Sequence, residues 1–382
     1  MRILIIPNSF KECADSSTVA KTLAKKLIKC SGVEIESLPL SDGGDGFLSV
    51  CREKYQLKTI RYKIPKLAEA GYKYVPVGYS SQDRTVFLEV ADVIGIKDVP
   101  VDSRDPLNYN SYPLGLLLKK ISFYFAKRSV KLKKIVIGIG GTGTSDLGLG
   151  VCSAFGLKLY DKDDKELAAI PGNFIRAVKI SRPYMYDFDL QLVTDVRIHL
   201  LGEFGTTFFF ARQKGVKEEE LQGLEEGVKN ILAIIKRDFN ADYSDTLLGA
   251  GGGLGLGFSL LTDPVVVGAS RFLNKTLMLR EKIENTDLIV TGEGRFDLQS
   301  LFNKATGVVI KEAMRQKKKV VLIAGTTDDI AVKNLGRKVT IFNLSNHFAN
   351  REESILNFRR GLNLASDFIA GLLYEDGKIG AA

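Results

Sequence analysis

The sequence predicts an α/β protein of two domains, one of them assembled from both ends of the chain. Three observations lead there. Short apolar runs rich in β-branched residues alternate with helical patterns, the signature of α/β folds. Two strand candidates stand near the amino terminus and three near the carboxyl terminus, too few at either end for a convincing sheet. And 382 residues exceed an average single domain.

The opening MRILIIPNSF reaches polar residues too early for a secretory h-region, so Ile3–Pro7 reads as a first strand. Ser16 or Ser17 can cap a helix running to about Lys29, with Gly32 after it, and Glu34–Leu38 is the second strand. Near the other end, strands are expected at Asp287–Thr291, Lys319–Ala324 and Lys338–Phe342. Helices are expected at about Lys304–Arg315, Asp328–Asn334 and Glu353–Leu373. Two strands plus three make one five-stranded sheet of flavodoxin-like size. Residues 1–64 and 285–382 are therefore expected to form a discontinuous domain, with 65–284 as an inserted mixed α/β domain. Around and inside the insert, strand-like segments fit Thr59–Ile64, Tyr72–Tyr79, Thr85–Val90, Ile135–Ile139, Leu157–Tyr160 and Asp189–Val193. Helices fit Ser111–Lys127, Glu218–Arg237 and Leu254–Leu261.

Composition narrows the function classes. The net charge is +9, but the basic residues are scattered. Their compact clusters, Lys131, Lys133, Lys134 and Lys317, Lys318, Lys319, immediately precede apolar strands, and no nucleic-acid motif accompanies them, so no nucleic-acid partner is expected. No apolar run has membrane-spanning length. Cys13, Cys30, Cys51 and Cys152 form no C-x-x-C pair and have no histidine nearby, which fits free thiols in a reducing cytoplasm better than a zinc site or disulfide framework. His199 and His347 are the only histidines, so a triad hydrolase is poorly supplied.

Five glycine- or acid-bearing loops follow expected strands, where α/β sheets hold ligands. After the first strand, Ser9 and Lys11 can bind an anionic group, or the loop is an ordinary strand-to-helix turn. After the second, Ser41-Asp42-Gly43-Gly44-Asp45-Gly46 offers two carboxylates for Mg²⁺ or a hydroxyl, or simply a turn capping a helix. The third, Gly138 to Gly150, lacks the lysine of a P-loop; its glycines, Gly140 and Gly141 among them, its hydroxyls, Thr142 among them, and Asp146 suit phosphate or an oxyanion. The fourth, Gly249 to Gly257, places Gly251, Gly252 and Gly253 either against phosphate or in close packing. The fifth, Thr291 to Asp297, brings Gly292, Glu293, Arg295 and Asp297 together at a strand end, as a functional cluster or a structural ion pair.

In this order the loops resemble the type I glycerate kinase family. That family's P-D-S-F-K-E-S is here Pro7-Asn8-Ser9-Phe10-Lys11-Glu12-Cys13, and its A-D-G-G-E-G is Ser41 to Gly46. Its R-N-P-L matches Arg104-Asp105-Pro106-Leu107, and I-G-I-G-G-S-A-T-N-D-G-G matches Ile137 to Gly148. Its C-D-V-T-N-P-L looks like Thr194 to Leu200, and F-G-P-Q-K-G looks like Phe210 to Gly215. G-A-G-G-L-G and T-G-E-G-R-x-D stand nearly intact at Gly249–Gly255 and Thr291–Asp297. The chain departs from the pattern at Asn8, Ser145, Leu147, Tyr112-Pro113-Leu114-Gly115 and Arg197-Ile198-His199.

The resemblance implies a flavodoxin-like (Rossmann-like) domain with an insert of restriction-endonuclease-like fold. It implies ATP and Mg²⁺ as cosubstrate and cofactor, and D-glycerate as acceptor, with 2-phosphoglycerate the favoured product. Asp195 is then the expected base and Lys11 the cation beside the transferred group. Ser9, Arg104, Thr142, Arg295 and Asp297 are expected at the substrate. Gly140, Gly141, Gly251, Gly252, Gly253, Gly292 and Glu293 are expected at the nucleotide phosphates, and Asp42 and Asp45 at Mg²⁺. Alternatives are another small hydroxy acid as acceptor, or a non-catalytic relative that binds nucleotide or acid. The expected partners are small molecules in the cytoplasm, with neither membrane nor nucleic acid; a homodimer is left open.

Overall fold

The computed structural model describes residues 1–10, 13–41, 43–185, 189–194, 196–302, 304–335 and 339–375. The chain divides into two compact units, Met1–Lys54 with Ala269–Ala382, and Tyr55–Gly268. Strands β1 (Arg2–Ile5) and β2 (Glu34–Ser37) open the first unit. The second unit carries β3 (Lys58–Pro65), β4 (Tyr72–Ser80), β5 (Thr85–Glu89), β6 (Lys134–Gly138), β7 (Leu159–Tyr160), β8 (Glu166–Leu167), β9 (Lys179–Ile180), β10 (Asp189–Thr194) and β11 (Val265–Gly268). The chain then returns to the first unit with β12 (Leu288–Phe296), β13 (Lys319–Thr327) and β14 (Val339–Asn343).

In the first unit the sheet order is β14-β13-β12-β1-β2, with every pairing parallel. Counted within that unit, this is the 2-1-3-4-5 order of flavodoxin-like folds, and the order reverses between β1 and β12. The central strands β1, β12 and β13 begin as apolar runs because both faces are covered there, whereas the edge strand β2, Glu34-Ile35-Glu36-Ser37, is largely exposed. Side chains alternate between two cores: Leu4, Ile289 and Leu322 join one, and Ile3, Ile5, Val290 and Ile323 the other. Helices Ser16–Leu27 and Phe358–Glu375 fill the second core through Val19, Leu23, Leu362 and Ile369. Helix Ala305–Arg315 fills the first through Val309, Ile310 and Ala313.

The second unit is built on a mixed six-stranded sheet, β11-β10-β6-β5-β4-β3, with β3 to β5 antiparallel and β5, β6, β10 and β11 parallel. A small sheet of order β8-β7-β9 stands apart from it. The core is closed by helices Tyr112–Ala126 and Glu218–Phe239. No helix of the described residues is long and apolar enough to cross a membrane.

Several elements differ from the sequence reading. The junctions fall at 54/55 and 268/269, earlier than 64/65 and 284/285. Strand β3 pairs with β4 from Lys58↔Tyr79 to Pro65↔Tyr72, so its residues belong to the insert's sheet. At the other junction, helices Ala269–Leu277 and Leu279–Glu284 bury Leu273, Leu277, Leu279 and Ile283 in the first unit's core. Strand β12 does not stop at Thr291; it runs to Phe296 because its ladder with β13 continues to Phe296↔Thr327. The last expected helix is two, Arg351–Leu356 and Phe358–Glu375. Helix Phe47–Tyr55 follows the Ser41–Gly46 turn, as the helix-capping alternative expects, while strands β8, β9 and β11 have no counterpart among the expected elements.

Candidate active site

In an open α/β sheet, ligands bind beyond the carboxyl ends of the strands where the order reverses. In the first unit that place is framed by the ends of β1 and β12. The chain after β1 runs on beside β12: the Ile6 amide donates to Val290 O at 2.7 Å, the Asn8 amide to Gly292 O at 2.8 Å, and Thr291 Oγ1 to Ile6 O at 2.8 Å. Ser9 follows, buried, its amide donating to Asn8 Oδ1 at 2.8 Å. Lys11 lies outside the described residues. The loop after β2 meets the same edge, since the Leu40 amide donates to Pro7 O at 2.9 Å. Asp42 lies outside the described residues; Asp45 is half-buried in a turn whose Gly43 and Gly46 take positive φ of 95° and 83°.

The end of β12 holds a cluster of charges. Lys304 Nζ stands 3.8 Å from Glu293 Oε2 and 3.6 Å from Asp297 Oδ1, and Arg295 Nε stands 3.9 Å from Asp297 Oδ2. Glu293 is buried, whereas the Arg295 side chain is 75% exposed. Partial burial pushes the Asp297 carboxyl up, but the Lys304 charge, the Ser300 amide and hydroxyl, and Arg295 outweigh it and hold the group below the usual carboxylate range. Lys304 precedes the first residue of helix Ala305–Arg315, where the helix dipole disfavours a cation. That misfit is the signal by which sequence could have singled it out; sequence reasoning passed over it. Gly292, expected in a phosphate loop, instead sits within the β12 ladder. A Cβ there would meet Ile323 O at 2.1 Å, so the glycine serves strand packing.

In the second unit, the stretch after β6 is tied down on its Ile94–Ile96 side. The Ile96 amide donates to Gly141 O at 3.0 Å and the Gly143 amide to Ile94 O at 2.8 Å. Gly140 is half-buried and Gly141 exposed, the latter at φ 71°. Thr142 is buried and its hydroxyl donates to Ile139 O at 2.8 Å. Gly251, Gly252 and Gly253 take φ of 63°, 72° and 82° in succession. Cβ atoms there would stand 3.0 Å from Ile139 O, 2.1 Å from Thr144 O and 2.6 Å from Leu147 Cδ2. These glycines thus let two loops lie against each other, the close-packing alternative of the sequence reading.

Arg104 directs Nε to Val99 O and Nη1 to Gln213 O, both at 3.2 Å. Asp195 lies outside the described residues. Its neighbour Thr194 ends β10, and the Val196 amide donates to Thr194 Oγ1 at 3.3 Å. Two further groups are buried here, Asp146 of the third loop and Lys214, which sequence reasoning did not single out as a site residue. Asp146 is fully buried, its Oδ2 accepting from Ser111 N at 2.9 Å, Ser111 Oγ at 2.6 Å and Gly150 N at 2.9 Å. Lys214 is buried beside it, and burial pushes its ammonium down to about 7 against the opposing pull of Asp146.

A parallel 2-1-3-4-5 sheet with opposed charges at the end of β12, and a mixed-sheet unit bearing glycine-rich loops, define an α/β protein of two units. The chain belongs to the glycerate kinase family, whose model matches residues 3–374. It is 28% identical over 384 residues to the glycerate 2-kinase of Escherichia coli K12, covering 98% of each chain. It is 29% identical over 332 residues to the glycerate kinase of Haemophilus influenzae Rd, covering 85% of this chain and 86% of that one. The crystal structure described as glycerate kinase 2 from Salmonella typhimurium LT2 superimposes with a TM-score of 0.73 at 24% identity over 99% of both chains, which establishes the shared fold.

Proposed function

We propose that the protein is an ATP-dependent glycerate kinase that phosphorylates D-glycerate, with 2-phosphoglycerate the favoured product. The observation that carries this reading is the cluster of Lys304, Arg295, Glu293 and Asp297 at the switch point. Phosphoryl transfer demands little covalent help from protein; it demands positioned phosphates, neutralised charge and a base at the acceptor. Lys304 and Arg295 supply fixed positive charge, and Glu293 and Asp297 hold Lys304 from two sides. Full-length kinship to an enzyme named glycerate 2-kinase favours the 2-hydroxyl.

In this mechanism the acceptor hydroxyl oxygen bonds to the γ-phosphorus as the bond to the β-bridging oxygen breaks, and ADP leaves. Asp195 takes the hydroxyl proton. Lys11 and Arg295 neutralise the transferring group, Ser9 and Asp297 orient the acid, and Gly140 and Gly141 offer backbone amides to phosphate. Thr142 acts through its turn, since its hydroxyl is bonded to Ile139 O. Arg104 meets a carboxylate only through donors other than the Nε and Nη1 that hold backbone carbonyls. Among the described residues no group of three or more His, Cys, Asp or Glu could hold a metal by itself. Mg²⁺ in kinases needs only one or two carboxylates with substrate phosphates, and Asp42 and Asp45 of the loop after β2 are the pair assigned to it in this reading. Bound there, the ion would neutralise phosphate charge. The described cysteines are free thiols, in keeping with a cytoplasmic enzyme.

ADP release measured across a panel of small hydroxy acids tests the reading. D-glycerate should stimulate it most strongly, with Mg²⁺ required, and phosphorus NMR of the product should show the 2-phosphate. A different acid in first place would reassign the acceptor. A folded protein that no acid stimulates would replace the kinase by a binding protein.

A further inference from the structure

The loop Gly140 to Asp146 must hold one conformation to present the half-buried Gly140 and the exposed Gly141, yet the bonds on its Ile94–Ile96 side reach only Gly141 and Gly143. Its far end is held by the bonds of Asp146 to Ser111 and Gly150, by the Leu147 amide on Gly252 O at 3.0 Å, and by a buried lysine. Lys214 is the ninth and last residue of helix Thr206–Lys214 and is 3% exposed. Its Nζ donates to Thr144 O. The Asp146 carboxylate lies on the same loop, fully buried, with Oδ2 taking three donors and Oδ1 accepting from none of the described residues. An ammonium and a carboxylate have thus been taken out of water together, at a cost that a methionine of similar length would not incur.

Two neighbouring features exist to make room for this arrangement. A Cβ on Gly252 would stand 2.8 Å from Lys214 Nζ and 2.1 Å from Thr144 O, so the glycine turn opens a space that the lysine crosses. Behind the lysine, Arg104 Nη1 holds Gln213 O at 3.2 Å, and Gly215 at φ 106° lets the chain pass Arg104, where a Cβ would meet Arg104 Cβ at 2.6 Å. The helix end, the loop after β6 and the triple-glycine turn therefore meet around this lysine-to-carbonyl bond, with the Leu147 amide on Gly252 O beside it.

We propose that Lys214 is a positioning residue: through its bond to Thr144 O, beside Asp146, it fixes the loop Gly140 to Asp146 in the conformation that presents Gly140 and Gly141 to the phosphates. The assignment of those glycines to phosphate rests on the kinase reading above. The positioning itself is a property of the loop and is measurable without catalysis.

The test compares wild type, Lys214→Met and the charge-neutral Lys214→Met/Asp146→Asn pair by amide hydrogen exchange, thermal melting and kinetics with ATP and D-glycerate. Lys214→Met should lose protection at the Gly143 and Leu147 amides while the six-stranded sheet keeps its own. Its kcat should fall by about 10²-fold, the scale on which small misplacements act. The double variant removes the uncompensated buried charge, so it should recover melting temperature without recovering loop protection or kcat. If Lys214→Met does not fold, the double variant carries the comparison alone. Wild-type loop protection in either folded variant overturns the inference, as does a double variant that regains kcat together with stability. A wild type without glycerate-dependent ADP release would defeat the kinase reading, and the exchange data would still decide the role of Lys214.

Discussion

The Lys304 ammonium stands 3.6 Å from the Asp297 carboxylate, at the start of a helix whose dipole favours the opposite charge. A structural ion pair would be better placed at the helix end. Here the carboxylates of Asp297 and Glu293 offset the dipole and hold the cation at the switch point. An anionic phosphate or carboxylate arriving there would meet a charge already oriented.

Lys304→Ala should therefore lower kcat by about 10²–10³-fold, the usual loss when one preorganised donor to a developing charge is removed. Lys304→Arg should recover only part of the rate, because a planar guanidinium does not occupy the place of a compact ammonium. Steady-state kinetics with matched thermal melts checks this. A variant with a lowered melting temperature and unchanged kcat would reduce Lys304 to a helix-end brace.

Much of this frame is legible in the sequence, and the reasons for the rest are physical. The central strands of the parallel sheet are buried on both faces, so Ile3–Ile5, Leu288–Val290 and Val320–Ile323 announce themselves as unbroken apolar runs. The end of β12 does not, because Gly292 to Arg295 continue a ladder with residues that read as a loop; hydrogen bonding to β13 overrides the local composition. Glu293, Arg295 and Asp297 are found by sequence because they crowd into five residues, whereas Lys304 joins them only through the fold. Lys214 and Asp146 lie far apart in the chain, and nothing local distinguishes a buried lysine in R-Q-K-G from one in solvent. The triple glycine was visible as an anomaly, but whether phosphate or a second loop fills its Cβ space is decided by tertiary packing.

Gly252→Ala and Gly32→Ala separate backbone strain from close approach. Both glycines have similar positive φ, 72° and 75°. A Cβ on Gly32 meets nothing within 4 Å, whereas one on Gly252 meets Thr144 O at 2.1 Å. Gly32→Ala should cost about 1–2 kcal/mol, the left-handed penalty alone. Gly252→Ala should cost several times that by denaturant titration, or fail to fold. Equal losses in the two variants would mean that the loops separate freely, and the packing role of the triple glycine would be lost.

Lys214 gives stability an unusual dependence on alkaline pH. Burial holds its native pKa near 7, below the ordinary lysine value of 10.5 that the unfolded chain regains. Between those values the unfolded state binds a proton that the native state lacks, so stability rises with pH across the window. Below it both states are protonated and the burial penalty is felt in full. The contribution is up to about 1.4 kcal/mol per pH unit. Denaturant midpoints for wild type minus Lys214→Met, taken from neutral to alkaline pH, isolate it from other titrating groups. The difference should climb with pH; a flat difference would mean that the native ammonium is hydrated.

Asp195→Asn keeps the side-chain size and removes the charge and most of the basicity. If Asp195 accepts the proton of the glycerate hydroxyl, kcat should fall by about 10²–10⁴-fold, the usual range for a general base. ATP affinity should change little, because a base acts on the acceptor and not on the adenine or ribose. If Asp195 instead ligates Mg²⁺, nucleotide affinity should weaken as well, and raising Mg²⁺ should restore part of the rate. If it only caps a loop, the loss should appear in stability, by about 0.5–2 kcal/mol, with kcat nearly intact. The three outcomes differ in kcat, nucleotide affinity and melting temperature, so kinetics, nucleotide titration and a melt on one variant separate them. A folded Asp195→Asn protein with wild-type kcat rules out the base role and turns the search to Asp42 and Asp297, the acids that follow the second strand and close the end of β12.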